Sequence, residues 1–321
     1  MTIDVPSTIL GTMTFGDTVD EAMAAKIVAA AFDAGVTWFD TANSYSDGLS
    51  EEIIGRVLAG RSDITLATKV GQPQSKLGTS KLGTERLLSA HNLRRSVEAS
   101  LRRLGRERVE LLYLHKPDRM TPISETLSEI AELIRSGKVG QFGVSNFSAW
   151  QIAEIVTTAR EVGAPPPVIS QQLYNLVARR LEEEYQEYAA TTGLPTAIYN
   201  PLAGGLLTGR YSVDSAAGHG RFGDARNARE YRSRYWDERV FAAVGKLGVI
   251  ADSAGMPLSD FALRWTVGRP VVQSVLLGGS RVSHLRSNLH ALARGVLPHD
   301  VIEAADAVGA ELRGPMPAYN R

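Results

Sequence analysis

Four side chains of complementary chemistry stand near the ends of short apolar runs in the first part of the chain. Asp40 and Tyr45 lie in WFDTANSYSDG (Trp38–Gly48), where Val36, Trp38 and Phe39 give way to an acid and then to a polar loop. Lys69 sits inside the run ITLATKV, and His115 follows VELLYL. A free tyrosine titrates near pH 10, too high for an ideal acid at neutrality. An ammonium beside it stabilises the phenolate and lowers that pKa, and a carboxylate holds the ammonium in place. A histidine donating from one ring nitrogen orients a carbonyl oxygen and supports the charge developing on it. The set suits proton transfer to a carbonyl. No side chain supplies a hydride, so a two-electron reduction would need a cofactor. Two other readings stay open. An Asp past a strand is commonly a turn former capping its own backbone. A Lys on a barrel strand also suits a Schiff base, as in an aldolase.

To act together, the four must lie at neighbouring strand ends, and the chain supplies such strands. Apolar runs at Ile9–Met13, Thr37–Asp40, Ile64–Val70, Val109–His115, Gly140–Val144, Val168–Leu173, Thr196–Tyr199 and Val271–Leu277 alternate with amphipathic helical patterns. Eight such strand–helix steps predict an α/β fold, a parallel TIM (β/α)8 barrel in one domain spanning residues 1–321, with its chemistry at the carboxyl ends of the strands. A doubly wound sheet would favour a glycine fingerprint directly after the first strand, and Gly11-Thr12-Met13 is not one. A Lys inside a parallel strand is expensive unless it is paired, because both faces of such strands are usually covered. Helix starts are predicted at a Thr18/Glu21 capping box, at Ser50, at Asn92, after Thr121-Pro122 and at a Ser148/Gln151 box. Tyr211–Tyr235, rich in Gly, Ala and Arg, is predicted to be an irregular insertion.

Composition removes several classes of function. The 321 residues carry 35 Lys+Arg against 35 Asp+Glu, so no net field draws nucleic acid or an anionic membrane. The absence of cysteine excludes disulfides, thiolate metal sites and a thiol nucleophile. No metal cluster is evident. The first residues, MTIDVPSTILGTM, lack a basic segment before an apolar run, and no stretch approaches the length of a membrane span. A soluble, cytoplasmic protein is expected, a monomer or homodimer acting on a small molecule.

At these residues the sequence resembles the aldo-keto reductases, NADPH-dependent barrel enzymes. The resemblance runs from Leu10-Gly11-Thr12-Met13 to the carboxyl terminus. Within the superfamily it is closest to the aflatoxin-aldehyde and succinic-semialdehyde reductase branch, through DTANSYSDGLSE, YLHKPD, YNPLAGGLLTG, YRSRYW and the final Tyr319-Asn320-Arg321. It implies that Asp40, Tyr45, Lys69 and His115 form the catalytic tetrad, with Tyr45 giving the proton and NADPH the hydride to an aldehyde or ketone. Asp40 would also touch the cofactor. In GVSNF and QQLYN, Ser145, Asn146 and Gln171 would bind the nicotinamide carboxamide, and Tyr199 would stack on the ring.

The resemblance further implies that Tyr199–Gly209, with Asn200, Pro201, Leu202, Gly204, Gly205, Leu206 and Gly209, wraps the pyrophosphate, where glycines permit close backbone approach. Gly279–Asn288, with Gly279, Ser280, Arg281, His284 and Asn288, would hold the adenosine phosphate at a helix start, which favours anions. Here the sequence departs from the branch, with His284 and Ser287 in place of two glutamines. Arg281 stands where a neutral residue is common, and its guanidinium suits a 2′-phosphate, favouring NADP over NAD. His115, Tyr231, Arg234 and Arg321 would contact the substrate, the last three at a carboxylate. A cofactor-binding regulatory subunit with little turnover, like the channel-associated members, is the alternative.

Overall fold

A computed structural model describes residues 4–74, 85–213 and 220–314. Eight strands form its centre: β1 (Thr8–Gly11), β2 (Trp38–Asp40), β3 (Thr65–Val70), β4 (Val109–Leu114), β5 (Val139–Ser145), β6 (Ser170–Leu173), β7 (Thr196–Tyr199) and β8 (Ser274–Leu277). Each pairs in parallel with the next, and β8 closes on β1, so the sheet is a sealed barrel with no free edge. Between them run α1 (Glu21–Asp33), α2 (Leu49–Val57), α3 (Ala90–Leu104), α4 (Ile123–Arg135), α5 (Ala149–Val162) and α6 (Tyr185–Thr192). After β7 come α7 (Ala228–Tyr235), α8 (Glu238–Ser253) and α9 (Leu258–Val267), and after β8 come α10 (Val282–Ala293) and α11 (His299–Glu311).

The two-residue period of a strand sorts every side chain to the barrel interior or to the helices. Ile9, Trp38, Ala67, Leu111, Tyr113, Ile169, Ala197 and Leu276 fill the interior as one apolar cluster. A second, larger cluster that includes Leu10, Phe39, Leu66, Leu112, Phe142 and Ile198 packs between strands and helices. Two residues beyond an inward residue the chain points inward again. That rule carries Asp40 above Trp38, Lys69 above Ala67, His115 above Tyr113, Gln171 above Ile169 and Tyr199 above Ala197. The interior is apolar below and polar at its carboxyl-terminal mouth. Among the described residues no single helix is long and apolar enough to cross a membrane.

Several local expectations are corrected. The cap of α1 is Asp20, whose carboxylate accepts from Met23 N at 2.8 Å, and not Thr18. α3 is capped by Ser89, with Asn92 already inside the helix. α2 starts at Leu49 from Gly48, which holds φ +92°, and Ser50 is an interior position. The Ser50 hydroxyl is buried, donates to Thr12 O at 2.9 Å and lies 3.0 Å from Thr41 Oγ1, so it ties the loop after β1 to the loop after β2. Ser148 and Gln151 do form a capping box on α5. The insertion after β7 is less irregular than expected, because α7 occupies its last third.

Candidate active site

Lys69 is the centre of the polar layer. Fully buried on β3, its ammonium donates to Asp40 Oδ1, to Thr41 O at 2.8 Å and to Tyr45 Oη at 3.3 Å. Three donors meet three oxygens, which is how a buried ammonium avoids its desolvation cost. Asp40, at the end of β2, accepts on its other oxygen from Gln171 Nε2 at 2.8 Å. Tyr45 stands in a tight turn, Tyr45–Gly48, where Ser46 and Asp47 take φ of 50° and 53°. Such left-handed conformations are uncommon for residues other than glycine and persist where surroundings enforce them. The contact that braces the turn is Ser46 Oγ donating to Phe15 O at 3.1 Å, while Asp47 points away to an ion pair with Arg226 at 2.6 Å. The His115 ring meets Tyr45 edge-on, with centroids 5.8 Å apart. The sequence-predicted four thus converge.

Their titration follows from burial. Burial works against the Lys69 ammonium, yet Asp40 and Tyr45 outweigh it and the proton is held more firmly than in an ordinary lysine. Burial pushes the Asp40 carboxyl up, opposed by Lys69 and Gln171. It also pushes the Tyr45 hydroxyl up, with Lys69 pulling down and Asp40 pushing up. This departs from the expectation that the lysine would leave Tyr45 with a lowered pKa. The downward pull exists, but desolvation, helped by the Asp40 charge, exceeds it. Burial, then Lys69 and Lys116, holds His115 well below the ordinary histidine range, so its imidazole is neutral near pH 7. Its Nδ1 is buried without a hydrogen-bond partner among the described residues.

Next to this layer stand the residues expected at a nicotinamide. Ser145 and Gln171 are register partners on β5 and β6, and both are buried. Asn146, at φ +64°, donates through Nδ2 to His115 O at 2.9 Å and to Ser145 Oγ at 3.0 Å, and accepts from Tyr199 Oη at 2.6 Å. It therefore knits together the ends of β4, β5 and β7. Asn43, one loop turn past Asp40, is buried with neither end of its amide bonded among the described residues, a polar deficit that sequence reasoning did not find.

Beyond Tyr199 the chain turns tightly. Asn200, Ala203, Gly204, Gly205 and Gly209 all hold positive φ, with Pro201, Leu202 and Leu206 between them, and Asn200 Oδ1 accepts from Gly204 N at 2.6 Å. A Cβ on Gly204 would lie 2.6 Å from the Tyr231 ring, so glycine is required there by both backbone and contact. Across from this loop, Gly279 and Ser280 lead into α10, with Arg281 as its N-cap residue and Asn288 buried on its inner face. Burial lowers the His284 pKa, and Arg210 and Arg281 lower it further, so three potentially cationic groups share one neighbourhood. Arg210 was missed at sequence level although it is the first charge after the glycine run. No carboxylate among the described residues pairs with Arg210 or Arg281.

Left-handed backbone, with cations that have no carboxylate partner and buried polar atoms at the mouth that have no hydrogen bond among the described residues, fits a nicotinamide dinucleotide. Gln171, Ser145 and Asn146 would hold its carboxamide, Asn200–Gly209 its pyrophosphate and Arg281 its adenosine end. Among the described residues no group of acidic or histidine side chains is placed to hold a metal ion.

On the open side, Tyr231 and Arg234 come from α7. Both influence the Tyr199 hydroxyl, and Tyr231 also acts on Tyr45, so they stand near the layer. The Arg234 guanidinium lies over the Tyr231 ring at 5.7 Å and the Tyr235 ring at 5.9 Å, with no carboxylate among the described residues in ion-pair reach. Arg321 lies outside the described residues.

The aldo/keto reductase family model matches residues 8–310. The chain is 35% identical to mouse aflatoxin B1 aldehyde reductase member 2 over 332 residues, covering 98% of this chain and 88% of the relative. It is 36% identical to human aflatoxin B1 aldehyde reductase member 4 over 315 residues, covering 93% and 92%. A probable voltage-gated potassium channel subunit beta of Arabidopsis thaliana is 33% identical over 287 residues, covering 87% and 85%. The chain belongs to the aldo/keto reductase family and is an oxidoreductase.

Proposed function

We propose that the protein reduces aldehydes to alcohols with NADPH and that Tyr45 is the proton donor. The carrying observation is the Tyr45 hydroxyl held 3.3 Å from a buried ammonium that Asp40 fixes in place. The nicotinamide, when bound, supplies the hydride. Tyr45 keeps its proton at neutral pH and donates it to the carbonyl oxygen, while Lys69 stabilises the phenolate left behind. His115, neutral and beside Tyr45, orients that oxygen without competing for the proton. Gln171 holds Asp40 from the far side, so the carboxamide subsite and the proton donor share one hydrogen-bonded chain. Arg281, Arg210 and His284 favour a 2′-phosphate. Arg234, with no carboxylate of the described residues in ion-pair reach, suits an aldehyde that carries one, as a guanidinium fork binds a planar carboxylate bidentately.

The relatives named as aldehyde reductases support this reading. The resemblance to a channel subunit supports a second, a cofactor-binding barrel with little turnover. Following NADPH oxidation over a panel of neutral and carboxylated aldehydes separates the two. Turnover of the carboxylated compounds is expected, and tight NADPH binding without turnover of any aldehyde would favour the second.

A further inference from the structure

The ion pair between Arg226 and Asp47 joins residues 179 positions apart, and its two ends sit beside different parts of the site. Asp47 belongs to the strained turn that presents Tyr45. Arg226 lies two residues ahead of α7, the helix carrying Tyr231 and Arg234. The other end of α7 is fixed differently. Tyr235 Oη accepts from Asn175 Nδ2 at 3.1 Å and from Asn200 Nδ2 at 2.8 Å, in the loops after β6 and β7. The helix is also backed by a cluster of rings: Phe222 packs on Tyr211, Tyr231 and Trp236 at centroid distances of 5.0, 6.1 and 5.2 Å. α7 is thus a bar across the mouth, tied at one end to the β2 side and at the other to the β6–β7 side.

A bar held at both ends fixes the distance between what it carries and what lies beneath it. We propose that Arg226 is a specificity-determining residue: by pinning α7 to the Tyr45 turn it sets the span from the Tyr45 hydroxyl to the Arg234 guanidinium. It thereby selects, among aldehydes with a distal carboxylate, those of one chain length. This rests on the reading of Arg234 as a carboxylate anchor. Arg226 itself touches neither reacting group and acts by position. The pair is half-exposed, so its effect is modest; exposed pairs of this kind change an equilibrium about two- to fivefold.

The test is kcat and KM over a homologous series of ω-carboxy aldehydes of increasing length, beside neutral aldehydes of matching size. Wild type, Arg226→Ala, Asp47→Asn and the charge-reversed double variant Arg226→Asp/Asp47→Arg are compared. Wild type is expected to prefer one length. Either single substitution flattens that preference about two- to fivefold, chiefly through KM, and leaves the ranking of neutral aldehydes unchanged. The reversed pair restores the preference, which a general loosening of the fold would not. A wild-type length preference that survives both single substitutions overturns the ruler while leaving the anchor standing. A wild type indifferent to the carboxylate removes the anchor at Arg234, and the ruler with it. Equal losses on neutral aldehydes would show a disturbed Tyr45 turn and overturn it as well.

Discussion

Two clusters of buried charge differ in how they are finished. At the barrel mouth, Lys69 and Asp40 are 0% and 2% exposed, and their hydrogen bonds lead outward to Tyr45 and Gln171. Behind the barrel, Arg179 and Glu182 from the loop after β6 meet Arg269 beyond α9 and Asp306 of α11. Glu182 accepts from both Arg179 Nε and Nη2 at 2.8 Å and from Tyr174 Oη at 2.5 Å. Asp306 accepts from Arg269 Nη1 at 2.8 Å and from Trp265 Nε1 at 3.0 Å, while both guanidinium groups lie over the Trp265 ring. In the rear cluster both carboxylates have partners within the fold, with Asp306 31% exposed, and one donor, Arg269 Nε, is left without a partner among the described residues. At the mouth, among the described residues, the Tyr45 proton goes to no acceptor, and His115 Nδ1 and both ends of the Asn43 amide are unbonded. Buried charge alone therefore does not mark a site. Several leftover groups gathered at the open end of the barrel do.

If that distinction holds, one substitution in each cluster should separate rate from stability. Tyr45→Phe removes the leftover donor and should lower kcat for aldehyde reduction roughly 10²–10⁴-fold, with the melting temperature and NADPH affinity nearly unchanged. A variant retaining most of its kcat would end Tyr45's role as proton donor. Glu182→Ala should do the reverse. It takes two hydrogen bonds from Arg179, which is nearly fully buried and keeps only its ion pair to Asp306 at 3.0 Å, and should cost about 1–3 kcal/mol in denaturant unfolding, with kcat per folded molecule unchanged. A stable Glu182→Ala protein with impaired turnover would erase the contrast between the clusters.

A third group sharpens it with an effect smaller than that of Tyr45→Phe. Arg281, Arg210 and His284 are cationic or potentially so, and no carboxylate among the described residues neutralises the two arginines. Leftover cations should await a leftover anion. Arg281→Ala should weaken NADPH by about 1.5–3 kcal/mol, roughly ten- to a hundredfold, and leave NADH unchanged in parallel fluorescence titrations. Equal wild-type affinity for the two cofactors would remove the phosphate from this place.

The mouth was legible in sequence because a strand's period is strict. Asp40 and His115 end predicted strands and Lys69 lies one residue before the end of another, and the alternation that buries Trp38, Ala67 and Tyr113 turns them inward. Caps were less legible, since Ser50 and Asn92 are ordinary cap residues by type. Whether a hydroxyl meets its own helix or a distant carbonyl, as Ser50 meets Thr12, depends on packing that no local pattern encodes. α7 was hidden because AREYRSRY has no apolar period beyond Tyr231 and Tyr235, four apart, whose burial against the insertion holds the helix. The Arg226–Asp47 pair is invisible in sequence for the same reason that it is informative in space. Nothing local relates its partners.

The smallest effect tests the unfinished character of the mouth through pH. His115 is held well below the ordinary histidine range by burial, with Lys69 and Lys116 adding repulsion, and its Nδ1 has no acceptor among the described residues that would reward a proton. In the unfolded chain the same imidazole titrates near 6.5. As pH falls below about 6.5, the unfolded state therefore gains a proton that the folded state refuses, and folding stability declines until the lower folded pKa is reached. Above about 6.5 both states are neutral and the contribution is complete. Replacing the ring removes this slope, so His115→Gln should lose less stability than wild type between about pH 6.5 and 5 in urea unfolding. Other groups titrate in that window too, His284 among them, but they are common to both proteins and cancel in the difference. The same neutrality predicts no acid limb from His115 in kcat/KM between about pH 6.5 and 8. Parallel stability curves for the two proteins would mean that the folded ring accepts a proton as readily as the unfolded one. His115 would then be finished by a partner, like the carboxylates of the rear cluster, and would not be a neutral donor waiting for a carbonyl.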